Sequence, residues 1–396
     1  MNATAQSRLD RGDLLRTNVG RAAFEYPVDL SLFDLAAHSP SYHELQESMG
    51  GHSPPLRDYC VPVNPYFPTP ELFAWLRDQL ERALKYYPPQ NEPITAALCR
   101  VFNLPAEHVV VANGSTELIT WLDHLFVRDS LLTDVPTFGR WTDQSCETGK
   151  RVVLHERRAA NDFALDVDAF VGHASAAGVR AAAICNPNNP TGALLPRAEV
   201  LRLADELRHL DLLAVDESFI DFADEEDVPS VARDVGNFPH LVVLKSLGKS
   251  LGIHGARMGY AVASAGLAER LRRALPKWNV NGIADLMIRA LRSRWQAYEL
   301  ARRCVIADRR AFEKALRAVP GLSVYPSRAN FVYAEVPCHV NGIALRNCLL
   351  TEHGCFIREC GNKVGSTSRH FRIAVRPETD GAYLVAALGE VMEELL

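Results

Sequence analysis

Short segments of consecutive apolar residues recur along the chain, and each ends at a cluster of glycine, proline, asparagine or serine. Apolar runs of this length between turn formers predict buried strands. They lie at residues 108–112, 131–135, 180–185, 212–216 and 240–244. Helical patterns occur between them, at 70–84, 92–103, 117–125 and 197–210. Apolar strands that alternate with helices predict an α/β fold with a mostly parallel sheet and helices on both faces.

The pattern changes after residue 281. A long helical run is predicted over 282–319, and short strands and two helices follow it. The strands are predicted at 322–325, 331–335, 355–358 and 371–375, and the helices at 342–352 and 380–395. We therefore predict three regions: an N-terminal arm or part of the small domain over 1–60, a large domain over 61–281, and a small α+β domain over 282–396 that begins with a long linking helix.

The composition is that of an ordinary globular protein, since 47% of the 396 residues are hydrophobic and 23% are charged. The net charge of -5 gives no basic surface for nucleic acid. No apolar run approaches the roughly 20 residues of a membrane helix. The first 34 residues lack the apolar segment of a secretory signal. We therefore expect neither nucleic acid nor a membrane as a partner.

The nine cysteines are scattered, their number is odd, and none forms a C-x-x-C pair. This pattern indicates reduced thiols in a cytoplasmic protein and argues against a disulfide framework or a zinc site. A bridge between Cys355 and Cys360 is the disfavoured alternative. We therefore expect a cytoplasmic protein without a metal site.

The strand predicted at 240–244 leads into a polar segment that contains Ser246, Lys249 and Arg257. Open α/β sheets bind ligands at the carboxyl ends of their strands, which is where this segment lies. A lysine buried there has a lowered pKa and can condense with an aldehyde to a Schiff base, while the hydroxyl and the guanidinium suit a phosphate. A solvated lysine in a polar loop is the alternative. A P-loop is excluded because that motif requires glycine at the position of Val243.

Other strand ends carry groups that complement this lysine. The segment Asn113-Gly114-Ser115-Thr116 joins a strand directly to a helix, whose free N–H groups favour an anion, although simple helix capping is the alternative. Asp216 ends an apolar strand, so we expect it to have a cationic partner. Asn189 offers an amide, and Phe138 and Trp141 offer flat apolar faces. A flat cationic ring that bears an aldehyde and a phosphate would use all of these groups, and pyridoxal phosphate fits that description.

Several motifs resemble those of the fold type I pyridoxal phosphate enzymes, aminotransferase class I/II. They are Asn-Pro-x-Asn-Pro-Thr-Gly at 186–192, Asp-Glu-x-Phe at 216–219, and Ser-x-x-Lys at 246–249 with Arg257 eight residues later. The resemblance extends from about Asn64 to Pro377. Within this class the chain is most similar to the histidinol-phosphate aminotransferase and threonine-phosphate decarboxylase group, through segments at 64–65, 87–88, 113–119, 280–281 and 329–331.

The resemblance implies a role for each site residue. Lys249 is implied to form the Schiff base with pyridoxal 5'-phosphate and, if the reaction is a transamination, to move the substrate's α-proton. Asp216 is implied to keep the ring nitrogen protonated, Asn189 to donate to the ring's 3-oxygen, and Phe138 to stack on the ring, with Trp141 as the alternative stacking residue. The phosphate is implied to be held by Gly114, Ser115, Thr116, Ser246, Arg257 and, from the neighbouring subunit of a homodimer with shared active sites, Tyr87. The substrate is implied to contact Asn64, Arg358 and Arg372, and solvated ion pairs are the alternative for these two arginines.

Three features bear on the reaction. Gly248 stands where the resembling group often has serine or threonine, so one phosphate donor is missing. Phe219 stands where the aminotransferases usually have a tyrosine against the ring's 3-oxygen, and Arg376 is unlike the usual aminotransferase ending. The local motifs favour decarboxylation of a phosphorylated amino acid such as threonine phosphate, whereas the larger number of aminotransferases in the class favours transamination. The function predicted is an aminotransferase acting between a small amino compound, with or without a phosphate, and a 2-oxo acid; the decarboxylase is the alternative.

Two other classes of protein are disfavoured by the sequence. A nucleotide-dependent oxidoreductase is disfavoured because the glycines at 248, 252, 255 and 259 do not form G-x-G-x-x-G. A transcription regulator with an aminotransferase-like domain would need a DNA-binding module, and the first 60 residues are short, mixed in charge and interrupted by proline.

Overall fold

Two sheets, each with its own helices and apolar core, make up the structure. The computed structural model describes residues 28–33, 39–49, 54–224 and 229–395. The strands in these ranges are β1 (Arg57–Tyr59), β2 (Val109–Ala112), β3 (Ser130–Val135), β4 (Arg151–Glu156), β5 (Ala181–Cys185), β6 (Leu212–Asp216), β7 (Leu241–Ser246), β8 (Gly259–Ala263), β9 (Ser323–Tyr325), β10 (Phe331–Glu335), β11 (Cys355–Glu359) and β12 (His370–Ala374).

The helices of the same ranges include one short turn of four residues, α8, and one long helix, α11. In chain order they are α1 (Tyr42–Ser48), α2 (Pro70–Lys85), α3 (Asn91–Phe102), α4 (Ser115–Phe126), α5 (Arg140–Glu147), α6 (Val167–Ala177), α7 (Arg197–Glu206), α8 (Leu247–Ser250), α9 (Ala265–Ala274), α10 (Gly282–Leu291), α11 (Trp295–Leu316), α12 (Gly342–His353) and α13 (Glu378–Leu395).

The larger sheet has seven strands in the order β2-β8-β7-β6-β5-β3-β4. β8 runs antiparallel to β2 and β7, and the other neighbouring pairs are parallel. Successive side chains of each central strand enter two different apolar cores: Leu213 and Val215 face one, and Leu212 and Ala214 face the other. This alternation puts a core on each face of the sheet. The prediction of a mostly parallel sheet covered by helices on both faces is therefore confirmed.

The sequence did not predict β4, which lies at the edge of this sheet. Arg151–Glu156 alternates between partly buried and exposed residues, so it lacks the continuous apolar run of the central strands. An edge strand has one neighbour fewer to cover it, and its apolar signal is correspondingly weaker.

The smaller sheet has five strands in the order β1-β11-β12-β10-β9, and it packs against α11, α12 and α13. β1 pairs in parallel with β11, whereas the other neighbours are antiparallel. The described part of the predicted N-terminal arm thus adds an edge strand to the small domain. The rest of residues 1–60, namely 1–27, 34–38 and 50–53, lies outside the described residues.

The helical run predicted over 282–319 is divided by a tighter turn at Arg292–Arg294. The helix before the turn, α10, packs against α2 and α3 of the large domain. The first half of α11 contributes Tyr298 and Ala301 to the large core, and its second half contributes Phe312 and Leu316 to the small one. The structure therefore places the change of domain within α11, after the boundary at 281 that the sequence predicts.

No helix in the described ranges is both long enough and apolar enough to cross a membrane. All nine cysteines have free thiols, Cys355 and Cys360 included. The described residues contain no group of His, Cys, Asp or Glu side chains that could hold a metal ion.

Candidate active site

A cavity of about 640 Å³ lies at the carboxyl edge of the large sheet. Its walls come from the ends of β5, β6 and β7, from the start of α4, from β11 and β12 of the small domain, and from residues 39–44 of the N-terminal arm. Lys249 is among the lining residues. The strand ends that the sequence analysis singled out therefore meet at one place, where the two domains and the arm come together.

The turn that carries Lys249 is fixed through its backbone. β7 ends at Ser246, and α8 follows without a linker. The backbone N–H of Asn64 donates to the Lys249 carbonyl at 2.9 Å, and its side-chain Nδ2 donates to the Ser250 carbonyl at 3.0 Å. A Cβ on Gly252, whose φ is +63°, would lie 1.8 Å from the carbonyl oxygen of Phe67. Only glycine allows this close approach, which packs residues 64–67 against the lysine turn.

The geometry of Asn64 differs from its predicted role as a substrate contact. Its Oδ1 accepts the N–H of Tyr66 at 3.0 Å, so both ends of the amide are bonded to the backbone. Asn64 is 2% exposed and does not line the cavity. Asn64 therefore positions the Lys249 turn, and its role as a substrate contact stays a prediction.

The Lys249 amine lies among positive groups. Burial, together with the charges of Arg372 and Arg257, lowers the pKa of Lys249 from 10.5 to about 7, and Asp216 opposes the shift. Its Nζ lies 3.4 Å from Nε2 of His254, which is its hydrogen-bonding contact among the described residues. Near neutral pH a large fraction of this amine is therefore unprotonated and able to act as a nucleophile.

Asp216 ends β6 in a buried position, 4% exposed. Its Oδ1 accepts the Ser218 hydroxyl at 2.5 Å and the Ser218 N–H at 3.1 Å, and its Oδ2 accepts Nε1 of Trp141 at 3.3 Å. Burial raises the pKa of this carboxyl, and its hydrogen-bond partners among the described residues, Ser218 and Trp141, are neutral. A cationic ring nitrogen in the cavity would supply the partner that the sequence analysis expects.

The two aromatic candidates for ring stacking occupy different places. Phe138 lines the cavity, whereas Trp141 is 2% exposed, lies outside the lining and bonds to Asp216 from behind. This arrangement supports Phe138 as the stacking residue and gives Trp141 a part in holding the carboxylate. The sequence could not separate them because both follow β3 within six residues of its end.

Asn189 is oriented by an arginine of the other domain. Nη1 of Arg372 donates to Oδ1 of Asn189 at 2.9 Å, and Nη2 donates to the carbonyl of Cys60 at 2.8 Å. A guanidinium can only donate, so the amide oxygen of Asn189 faces Arg372 and the amide nitrogen remains for a ligand. The predicted donor to the ring's 3-oxygen thus has its donor end available.

An anion cradle forms at the start of α4. Gly114 has φ +91°, and a Cβ there would lie 2.8 Å from Nη2 of Arg257. A Cβ on Gly259 would lie equally close to the backbone nitrogen of Ser115. Ser115, Thr116, Ser246 and Arg257 all line the cavity. Free N–H groups at a helix start, hydroxyls and a guanidinium together suit a phosphate.

The small domain contributes two arginines and a lysine. Arg358 donates to Ser39 Oγ and to Asn362 Oδ1, both at 2.6 Å, and Lys363 donates to the Thr137 carbonyl at 3.0 Å. Burial, with the charges of Arg372 and Arg358, lowers the pKa of Lys363 to about 8. Lys363 was not predicted from the sequence. The sequence feature that could have identified Lys363 is its position in a loop bounded by glycines, 361–365, between the strands that carry the two predicted arginines.

Three further residues lie at informative positions. The Phe219 ring centroid is 5.9 Å from Lys249 Nζ, and Phe219 lines the cavity. Arg376 is turned to the arm, where it donates to the carbonyls of Asp58 and Val61, and does not line the cavity. Arg376 therefore secures β1 to the small domain. Tyr87 is 84% exposed and packs against Trp278, outside the cavity of its own chain.

The charge of the cavity is opposite to that of the chain. Six lysine and arginine residues but only two carboxylates, Glu44 and Asp216, line it, whereas the whole chain has a net charge of -5. Glu44 is engaged with Ser41 at the start of α1, and Arg140 pairs with Glu147. The remaining cations have no carboxylate partner in the described ranges. The cavity therefore fits a phosphate-bearing cofactor with an aldehyde, and it retains positive charge for an anionic substrate.

Comparison with known proteins identifies the family. The sequence model of the family described as Aminotransferase class I and II matches residues 63–388. The chain is 31% identical over 370 residues to the threonine-phosphate decarboxylase of Salmonella typhimurium, covering 92% of this chain and 98% of the relative. It is 32% identical over 301 residues to the histidinol-phosphate aminotransferase of Oleidesulfovibrio alaskensis, covering 74% and 77%.

A longer relative and a solved structure complete the comparison. The chain is 32% identical to the CMP-5'-(3-aminopropyl)phosphonate synthase of Streptomyces rubellomurinus; the match covers 85% of this chain but spans only about half, 53%, of the relative. A decarboxylase from Sulfurospirillum multivorans has a similar structure, with a TM-score of 0.82 and 26% identity over 91% of this chain and 93% of the other. The chain belongs to the class I and II aminotransferase family, and its cofactor is pyridoxal phosphate.

We expect Lys249 of the cofactor-free protein to react with acetic anhydride along a pH profile with its midpoint near 7. Arg372→Met should move the midpoint upward because it removes a positive charge, and Asp216→Asn should move it downward because it removes a negative one. The measurement is competitive acetylation of the protein at a series of pH values, followed by mass spectrometry of the Lys249 peptide. A midpoint near the ordinary lysine value of about 10.4 would contradict the electrostatics described above.

Proposed function

We propose that this chain is a pyridoxal phosphate-dependent decarboxylase of a small amino acid that carries a distal phosphate or phosphonate. The observation that carries the proposal is the convergence of Arg358, Lys363 and Arg372 on one cavity, where their hydrogen-bond partners among the described residues are neutral groups. Three cations beyond the phosphate cradle suit a substrate with two anionic groups. This proposal reverses the slight preference for transamination that the sequence suggests.

The cofactor, when bound, withdraws electrons from the substrate's Cα and so makes a bond to that carbon easier to break. The proposed cofactor set is the one predicted from the sequence. Asp216 keeps the ring nitrogen protonated, Asn189 donates to the 3-oxygen and Phe138 packs on the ring. Ser246, Arg257 and the start of α4 hold the phosphate, and Lys249 holds the cofactor's aldehyde carbon.

The two anionic groups of the substrate are assigned from the contacts that each cation makes. Arg372 contacts Asn189, and its charge acts on the Lys249 amine, so it lies at the end of the cavity where Cα reacts. We assign the carboxylate to Arg372. Arg358 contacts Ser39 of the arm and Asn362 of the 361–365 loop, whereas Lys363 belongs to that loop and donates to the Thr137 carbonyl beyond the end of β3. We assign the distal phosphate or phosphonate to this pair.

Decarboxylation needs one proton to replace the carboxylate. The Cα–carboxylate bond breaks and carbon dioxide leaves, while the electron pair of the broken bond remains at Cα. The Lys249 ammonium, once free of the cofactor, donates a proton to that carbon. The ring centroid of Phe219 lies 5.9 Å from Nζ. Because this ring is apolar, position 219 supplies no second proton donor beside the lysine.

The comparisons support the same assignment. The names of two relatives describe a decarboxylase of threonine phosphate and a synthase of an aminopropylphosphonate ester, and the matching solved structure is a decarboxylase. An aminophosphonate of that kind is what loss of carbon dioxide from an amino acid with a distal phosphonate would give. An aminotransferase remains the second candidate, favoured by the relative that acts on histidinol phosphate and by a lysine that serves both reactions.

A single set of turnovers distinguishes the two reactions. We expect the loaded enzyme, without any 2-oxo acid, to release carbon dioxide repeatedly from O-phospho-L-threonine, O-phospho-L-serine or 2-amino-4-phosphonobutyrate, while its cofactor returns to the aldehyde form. Carbon dioxide is measured by a coupled assay and the cofactor by absorbance. One turnover to the amine form, with a 2-oxo product and no carbon dioxide, would instead establish the aminotransferase.

Lys363→Met should lower kcat/KM for the phosphorylated substrate by roughly 10- to 100-fold, because a charge-assisted hydrogen bond is lost. The unphosphorylated analogue of that substrate should show little change. Lys363→Arg, which retains the positive charge, is the matched control, and cofactor absorbance checks that the site remains loaded. Equal losses for both substrates would contradict the assignment of Lys363 to the distal anion.

We propose that two copies of the chain form a homodimer with shared active sites, in which Tyr87 reaches the partner's cofactor phosphate. Support comes from an exposed apolar patch around Tyr87, formed by Leu80, Leu84, Tyr86 and Trp278 on or beside α2. Lys249→Ala and Tyr87→Ala proteins, unfolded and refolded together, should regain turnover that neither shows alone. A monomer by sedimentation, or a mixture as inactive as its parts, would argue against shared sites.

A further inference from the structure

His254 is a second nitrogen-bearing side chain at the reactive lysine, and none of the roles above uses it. Its Nε2 lies 3.4 Å from Nζ of Lys249, and its ring lines the cavity. Its other nitrogen, Nδ1, is buried and has no hydrogen-bond partner in the described residues. A buried polar atom without a partner is costly, so this nitrogen indicates a ligand that the protein alone does not supply.

The imidazole occupies space that a side chain at Gly248 would need. A Cβ built on Gly248 would lie 3.0 Å from Cα and 3.3 Å from Nδ1 of His254. Nδ1 therefore lies on the side of the ring where a residue-248 side chain would project. Gly248 immediately precedes Lys249, and it is the position at which the sequence lacks a hydroxyl. Gly248 thus has no side chain, and Nδ1 of His254 lies beside the space that a side chain at position 248 would fill.

His254 also adjoins the anion cradle. Nη1 of Arg257, the guanidinium that closes on Gly114, donates to the His254 carbonyl at 3.4 Å. The charged groups that face the ring are Lys249, Arg257 and Arg372, and together with burial they lower the pKa of His254 to about 3. The imidazole is therefore neutral near pH 7. A neutral imidazole can donate from one nitrogen and accept at the other, which a cationic ring cannot do.

We propose that His254 is a ligand of the cofactor phosphate in this chain: Nδ1–H donates to a phosphate oxygen, while Nε2 accepts a hydrogen bond from the Lys249 amine whenever that amine is not bonded to the cofactor. The proposal rests on the cofactor assignment and is independent of the substrate. In this arrangement the imidazole of His254, six residues after Gly248, takes the place of the hydroxyl that is absent at position 248. It also couples the cofactor phosphate to the lysine that reacts with the cofactor aldehyde.

The test compares two cofactors that differ only in the phosphate. Cofactor-free protein is titrated with pyridoxal phosphate and with pyridoxal, and the ratio of the two dissociation constants measures what the phosphate contributes. We expect His254→Ala to reduce this ratio by roughly 10- to 100-fold, the usual effect of losing a hydrogen bond to a charged group. Any loss common to both cofactors reports on the Lys249 contact and cancels in the ratio.

A paired substitution makes the test specific. Gly248→Ser/His254→Ala removes the imidazole and places a hydroxyl in the space that it leaves, so we expect the ratio to recover toward the wild-type value. Gly248→Ser alone should give no gain because hydroxyl and imidazole compete for one space. The phosphorus NMR signal of bound pyridoxal phosphate should shift in His254→Ala and return toward its original position in the double variant.

The results that overturn the proposal are equally definite. A ratio in His254→Ala equal to that of the wild type means that Nδ1 does not contact the phosphate. A reduced ratio that the double variant leaves unchanged means that His254 acts through the backbone of the cradle. Thermal unfolding of each cofactor-free variant shows whether the protein compared is folded, and if His254→Ala is not, His254→Leu takes its place, with the same reduced ratio expected because leucine has no donor. No substrate is used, so the outcome is separate from that of the decarboxylation test.

Discussion

The burial of a lysine amine among other cations is the constraint on which the rest of this site depends. An ammonium group at Lys249 is disfavoured by desolvation and by Arg372 and Arg257, and the neutral amine that results is the reactive form. The fold holds this unfavourable arrangement in place through the backbone. Asn64 bonds to the lysine turn from a distant segment, and Gly252 allows that segment to pack within touching distance.

The same constraint explains why both domains are needed. The large domain supplies the lysine, the carboxylate and the anion cradle, and the small domain supplies Arg358, Lys363 and Arg372. Arg372 joins the two halves, because it orients the Asn189 amide, reaches the arm at Cys60 and acts electrostatically on the lysine. A site assembled in this way carries excess positive charge until anionic ligands enter it. In an otherwise acidic protein, that excess favours a phosphate-bearing cofactor and an anionic substrate.

Much of the fold and part of the site could be predicted from local sequence signals. The central strands are continuous apolar runs, and the polar groups that follow them come together because parallel strands end at one edge of a sheet. Contacts between distant segments could not be predicted in this way. The packing of α10 on the large domain, the pairing of β1 with β11 and the full engagement of Asn64 depend on residues far apart in the chain. Lys363 and His254 were missed for a similar reason, since each sits in a glycine-containing loop whose path decides where its side chain lies.

The most direct test of the account is to find which lysine bears the cofactor. Lys249 and Lys363 both line the cavity and have lowered pKa values. Lys245, four residues before Lys249, is buried, lines a different cavity and is paired with Asp221. Reduction of the loaded protein with borohydride, followed by digestion and mass spectrometry, fixes the cofactor on the residue that holds it. The account predicts the added mass on Lys249 alone. The same mass on Lys363 or Lys245 would contradict it, because the carboxylate, the amide and the anion cradle are arranged around Lys249.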